Sequence, residues 1–204
     1  MGGFVVTCVD KEYYNGVKEV LLFLKMAVFH IKNKCSPTAD ETDPKDIQQQ
    51  LKKEKEEMKK IEFTLLGGKR DSDILFIRND TEYSEIEIYN MMISLTTRAE
   101  HVRRIIPVNS IFTYTMDNLL HETKKVCASI GLQESFRISL SKRLCSHVSS
   151  EYIITMVAAE IPRKVDLKTP DKVVMIEIVK DLCAIGALKP CPGNFNITRA
   201  PRKQ

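Results

Sequence analysis

Residues 135–179 read SFRISLSKRLCSHVSSEYIITMVAAEIPRKVDLKTPDKVVMIEIV, and this stretch decides the fold. Phe136, Ile138 and Leu140 alternate with Arg137, Ser139 and Ser141, the period-2 pattern of a half-buried strand. Lys142 and Arg143 follow where that strand ends. Ser149 and Ser150 are helix caps, and Glu151 puts a carboxylate in the first turn. Ile153, Ile154, Val157, Ala158 and Ile161 recur at helical spacing until Pro162 stops the helix. A basic, acid-Pro turn leads to the apolar run Val173–Val179, a buried strand. The unit is strand, helix, strand.

Upstream, Met116 to Ile130 presents Leu119, Leu120, Thr123, Val126, Cys127 and Ile130 on one face, and Gly131 ends the helix. Downstream, Leu182–Leu188 is a last strand, hairpin-paired to Val173–Val179 across Lys180-Asp181. Pro190, Pro192, Pro201 and the polar or basic residues of 189–204 predict a frayed end, with a flexible tail over 193–204. Nearer the N-terminus, strands are predicted at 3–9, 61–66, 74–77 and 102–108, with helices at 16–31 and 83–95. A loop over 36–43 and a charged helix over 44–60 form an insertion before the second strand. Mixed signs in Lys52-Lys53-Glu54-Lys55-Glu56-Glu57 mark that helix as solvated rather than as a nucleic-acid patch. Gly67-Gly68 before Lys69-Arg70 lacks phosphate-loop spacing and reads as a turn. The order strand–helix–strand–strand–helix–strand is the split βαβ pattern of a ferredoxin-like domain. The fold class is therefore α/β (α+β), with a ferredoxin-like domain at 1–108 and a second domain at 109–192.

A chain of 204 residues with 43% apolar residues builds one large or two small cores. No apolar run reaches the roughly 18–20 residues of a membrane span, so no membrane partner is expected. The first residues, Met1-Gly2-Gly3-Phe4, lack a basic secretory n-region, and Val6 argues against myristoylation. The six cysteines form no C-x-x-C pair, which suits reduced thiols of an intracellular protein. Residues 101–204 carry 16 Lys and Arg against 9 Asp and Glu, a net +7. Residues 1–100 carry 15 against 18, a net −3. A basic second half suits a polyanion, RNA foremost. The acidic first half, or its charged helix 44–60, is a candidate surface for a protein partner.

The second half resembles the THUMP domain, and most closely the THUMP adaptors that serve the eukaryotic tRNA cytidine acetyltransferase. The residues that carry the resemblance are Phe136-Arg137-Ile138 through Lys142 and Ser146-His147-Val148, then Lys164-Val165-Asp166-Leu167-Lys168-Thr169-Pro170 and Val173 to Val179. Ile105-Ile106-Pro107-Val108 fits as well, and the family profile can begin near residue 85. The chain departs from the family at Leu144-Cys145, where an Asn is usual, and in the short link before Val165. The resemblance implies a ferredoxin-like domain ahead of the THUMP core and a hold on the acceptor end of tRNA. It implies two partners, tRNA and a separate tRNA cytidine acetyltransferase, and a nuclear or nucleolar location, with the cytoplasm left open.

Catalytic constellations are missing from the sequence. His30, His101, His121 and His147 form no H-E-x-x-H or Cys/His zinc pattern, and no Gly-rich dinucleotide fingerprint occurs. Cys145-Ser146-His147 reads as a capped turn, since a nucleophile and its base are neighbours in space rather than in sequence. Asp166 and Asp171 read as turn residues rather than paired acids. No enzyme activity, cofactor, metal or small-molecule substrate is expected. Binding RNA asks only for cations on phosphates, helix N-termini and some stacking. Lys142, Arg143, Ser146 and His147 at one turn, and Arg163, Lys164 and Lys168 at the other, are the candidates, extended by Arg103, Arg104, Lys124 and Lys125. An adaptor for another tRNA-modifying enzyme, such as a methyltransferase, and an interaction module without RNA are the alternatives.

Overall fold

The computed structural model describes residues 1–33, 44–67, 73–95, 99–145, 148–191 and 193–197. The expected loop at 36–43, the Gly68–Arg70 part of the glycine turn, Ser146, His147 and the tail beyond 197 lie outside them. The first half contains β1 (Gly3–Cys8), α1 (Tyr13–Asn33), α2 (Pro44–Lys59), β2 (Phe63–Gly67), β3 (Ile74–Asn79), α3 (Glu85–Leu95) and β4 (Val102–Val108). Its sheet has the order β2-β3-β1-β4, with every pair antiparallel. Each helix returns the chain so that the strands on either side of it run parallel but do not touch, because a strand from the other unit lies between them. That is the interleaving a split βαβ order demands.

Alternation along β1 divides its neighbours between two layers. A side chain at Gly16 of α1 would collide with the Cys8 sulfur, so α1 lies close over the face that carries Cys8, and hence Val6 and Phe4. Val20, Leu24, Ala27, Val28 and Ile31 close that face. Gly3 sits on the opposite face, where its own missing side chain leaves room for Ile111 of the second half. Both faces of β1 are covered, which is why Phe4, Val5 and Val6 are all buried. The charged helix α2 carries an exposed Lys59–Glu56 pair one turn apart, as its solvated pattern predicts.

The second half adds β5 (Ser110–Thr113), α4 (Met116–Cys127), β6 (Phe136–Arg143), α5 (Ser150–Ala159), β7 (Lys172–Val179) and β8 (Leu182–Leu188). The sheet order is β5-β8-β7-β6; β6 and β7 are parallel through α5, and the other pairs are antiparallel. β7 is buried on both faces, hence its apolar run, interrupted only by Glu177. Val174, Ile176 and Ile178 pack with Cys183 and Ile185 in the core that also holds Leu119, Ile153 and Val157 of the two helices. On its other face, Val173, Met175 and Val179 join Ala184 and Leu188 in the core of the first half. The two sheets therefore share one apolar layer. Gly186 makes their approach possible: a Cβ there would lie 3.1 Å from Val108 Cα and 3.2 Å from the Asn109 amide.

Two features differ from the sequence expectation. β5 is an additional strand, separated from β4 by Asn109 alone, too short a run for periodicity to reveal. The predicted tail is bonded as far as residue 197: Ile105 N–H donates to Phe195 (3.2 Å) and Ile197 N–H to Arg103 (2.9 Å). Phe195 is buried in the first core and meets Tyr89 edge-on at 5.6 Å. The cause is physical: Phe195 and Ile197 give the segment apolar anchors, and β4 is a sheet edge with unpaired backbone groups.

Candidate nucleic-acid interface

The parallel β6–β7 pair gives the second half two ends, about 23 Å apart along β6. At the carboxyl end of β6, Lys180 N–H donates to the Arg143 carbonyl (3.1 Å) and Tyr114 N–H to the Asp181 carbonyl (2.7 Å). Those bonds gather the close of β6, the β7–β8 turn and the start of α4. The Lys142 ammonium reaches the Val148 carbonyl and ties in the approach to α5. Both helices begin here. Thr115 caps α4 by accepting from Asn118 N–H, and Ser149 caps α5 by accepting from Tyr152 N–H, each at 3.1 Å. Two helix N-termini, Arg143 and Lys180 thus converge on one end, an arrangement suited to anions. Lys180, at φ 58, belongs to this end, although from sequence it stands only as a hairpin-turn residue and not among the binding candidates; a basic residue at that turn is its signal.

The predicted cations do not form one patch. Lys142 and Arg143 are adjacent in β6 and so point to opposite faces. Arg163, Lys164 and Lys168 lie at the other end of the sheet, where Phe136 N–H donates to the Lys164 carbonyl (2.8 Å). There the Arg163 guanidinium donates to the Ile130 and Pro162 carbonyls, bracing the end of α4. Lys124 pairs with Glu160 at 3.5 Å and Lys125 with Glu122 at 2.6 Å. Arg104 faces the second half and pairs with buried Glu177 at 3.1 Å. Its role is joining the halves, and it is withdrawn from the RNA-facing set. Arg103 is exposed and sits at the irregularity in the β1–β4 register, next to Arg104. Among the described residues Arg103, Arg143, Lys164 and Lys168 have no side-chain partner, and of these Arg143 adjoins the helix N-termini.

The acid-Pro turn is built on carboxylates. Asp166 accepts from Thr169 N–H and Lys168 N–H, both at 2.9 Å. Asp171 accepts from Ser135 N–H at 2.8 Å and from its hydroxyl at 2.7 Å, pinning the start of β7 to β6. The Thr169 and Lys168 amides hold the Asp166 carboxyl below its usual range, and the Ser135 amide, then its hydroxyl, does so for Asp171. The stability these groups add is complete above the ordinary carboxylate value, about pH 4, and is lost as pH falls through the depressed folded values. Urea midpoints measured downward from pH 7 should therefore fall less steeply below about pH 4 for Asp171→Asn than for the parent chain.

Leu144 takes φ 55 and is exposed, directly after the basic pair. That left-handed conformation suits Asn or Gly and strains leucine. Leu144 is thus a point of local strain. Leu144→Asn is expected to raise stability by about 1 kcal/mol, read from a urea denaturation curve. Burial pushes the Cys8 thiol up to about 11 and raises that of Cys183 as well, so both stay protonated and unreactive near neutrality. Among the described residues no group of three His, Cys, Asp or Glu is placed to hold a metal ion, and no helix is long and apolar enough to cross a membrane.

Residues 113–187 match the THUMP domain family, so β5 through β8 with α4 and α5 contain a THUMP domain. The fold is similar to that of PH1313 from Pyrococcus horikoshii Ot3, with a TM-score of 0.57 at 12% identity, covering 93% of this chain and 55% of that one. It is also similar to a 4-thiouridine synthetase solved with RNA and bound ATP: TM-score 0.50, 11% identity, 94% of this chain and 42% of that one. The chain spans about half the length of these two structures, and the likeness is one of fold. The THUMP domain of THUMP domain-containing protein 1 is 26% identical over 39% of this chain and 94% of its own, with a TM-score of 0.30. No curated protein matches the chain.

Proposed function

We propose that this chain is a non-catalytic tRNA-binding adaptor needed for cytidine acetylation by a separate acetyltransferase. The observation that carries the reading is the THUMP domain at 113–187, set in the half of the chain with a net charge of +7. Exposed Arg143 and Lys180 beside the α4 and α5 N-termini supply the electrostatic footing for phosphates. We take the first sheet, ordered β2-β3-β1-β4, as the ferredoxin-like domain that the resemblance places ahead of a THUMP core. An adaptor gains rate through effective concentration: tRNA held at one contact meets the enzyme intramolecularly at the next. The test is nucleoside analysis of tRNA from cells with and without this protein. Loss of acetylcytidine alone supports the reading. Intact acetylcytidine with loss of another modified nucleoside would assign the adaptor to a different enzyme.

A further inference from the structure

The edge of the second sheet carries a run of open backbone groups that tRNA binding does not use. Phe136 turns its backbone outward from β6, its N–H to the Lys164 carbonyl (2.8 Å) and its carbonyl to Asp166 N–H (2.9 Å). The chain thus starts to add a strand there, Phe136 bridging Val165 in parallel. It then leaves, because the Asp166 carboxylate captures the Lys168 and Thr169 amides and turns it off the edge. Strand periodicity points the N–H and C=O of Ile138, Leu140 and Lys142 outward as well. Among the described residues these groups have no hydrogen-bond partner.

The two faces flanking that edge differ in chemistry. Ile138 and Leu140 lie toward the helices, partly buried against the second core. Arg137, Ser139, Ser141 and Arg143 form the other row. Glu177, beside Ser141 in register, is neutralised by Arg104. Arg137 Nε is enclosed and has no hydrogen-bond partner among the described residues, a donor in need of an acceptor. A second copy fits this edge poorly, since antiparallel self-pairing about Leu140 would set Arg137 against Arg143.

We propose that the β6 edge is a docking site for an extended segment of a partner protein in which acidic and apolar residues alternate. The segment adds a strand beside β6, its carboxylates along the row from Arg137 to Ser141, short of Arg143, and its apolar side chains beside Ile138 and Leu140. The open edge supplies backbone bonds, and charge complementarity selects the sequence.

The probe is a fluorescein-labelled peptide of four Glu-Val repeats, titrated with the full chain and followed by anisotropy. Two further peptides carry N-methyl groups on every valine or on every glutamate, each blocking one edge of the strand while keeping all side chains. One methylated peptide should bind like the parent and the other should lose roughly tenfold or more. Arg137→Glu should reverse the preference toward four Lys-Val repeats. Equal binding of both methylated peptides, binding of neither, or no binding by the parent peptide would overturn the proposal. So would an unchanged preference in Arg137→Glu, or pairing of the chain with itself through β6. Binding of tRNA is read separately on the same protein, so failure here leaves the adaptor reading to its own test.

Discussion

Arg104→Ala is expected to cost about 3–5 kcal/mol of folding free energy, because it strands a buried carboxylate. Glu177 sits in the middle of β7 with its side chain 4% exposed, and Arg104 Nη1 at 3.1 Å is its ion-pair partner. The same guanidinium donates through Nε to the Asn194 carbonyl at 3.0 Å, so it also holds the 193–197 segment against β4. Removing one partner leaves the full desolvation penalty of the other, whereas removing both replaces it with apolar contact. Arg104→Met with Glu177→Leu should therefore recover most of the loss. Chemical denaturation of the parent, both single variants and the pair gives the coupling directly. A loss below about 1 kcal/mol in Arg104→Ala would mean that water reaches Glu177, and that the halves are not joined as described.

The second large effect concerns RNA. Arg143→Glu together with Lys180→Glu should weaken binding of any tRNA by about ten- to a hundredfold at moderate salt, and should lower the salt slope by about two. The pair is chosen over Lys142 with Arg143 because the Lys142 ammonium is committed to the Val148 carbonyl. Replacing it would disturb the approach to α5 and confuse folding with binding. Arg143 and Lys180 are both exposed and meet through the Lys180 N–H to Arg143 carbonyl bond. Reversing Lys124 and Lys125 serves as the control, since these pair with Glu160 and Glu122 at the far end of α4. Electrophoretic mobility shifts on one tRNA at several salt concentrations separate the two results.

The architecture was largely legible where periodicity was long. α1 and α4 announce themselves by apolar residues at three and four, and β7 by an apolar run with one glutamate in a strand covered on both sides. β5 was hidden because four residues carry no period, and the 193–197 segment because its glycine and asparagines, with Pro190 and Pro192 just before it, outweighed Phe195. Within the site, the positive charge was readable but its deployment was not. The period of two in β6 already implied that Lys142 and Arg143 face apart. A lone glutamate in Val173–Val179 was likewise the sign that some cation must come to it, though nothing local says that it is Arg104, 73 residues earlier. Long-range pairing of that kind depends on how two sheets stack, which no window of sequence contains.

Titration of purified full-length protein with tRNA across a series of salt concentrations tests the central claim most directly. Tight binding is expected at low ionic strength, with the logarithm of the association constant falling linearly with the logarithm of salt concentration, as binding releases counterions from the phosphates. Absence of binding at low salt, or an affinity indifferent to salt, would contradict it.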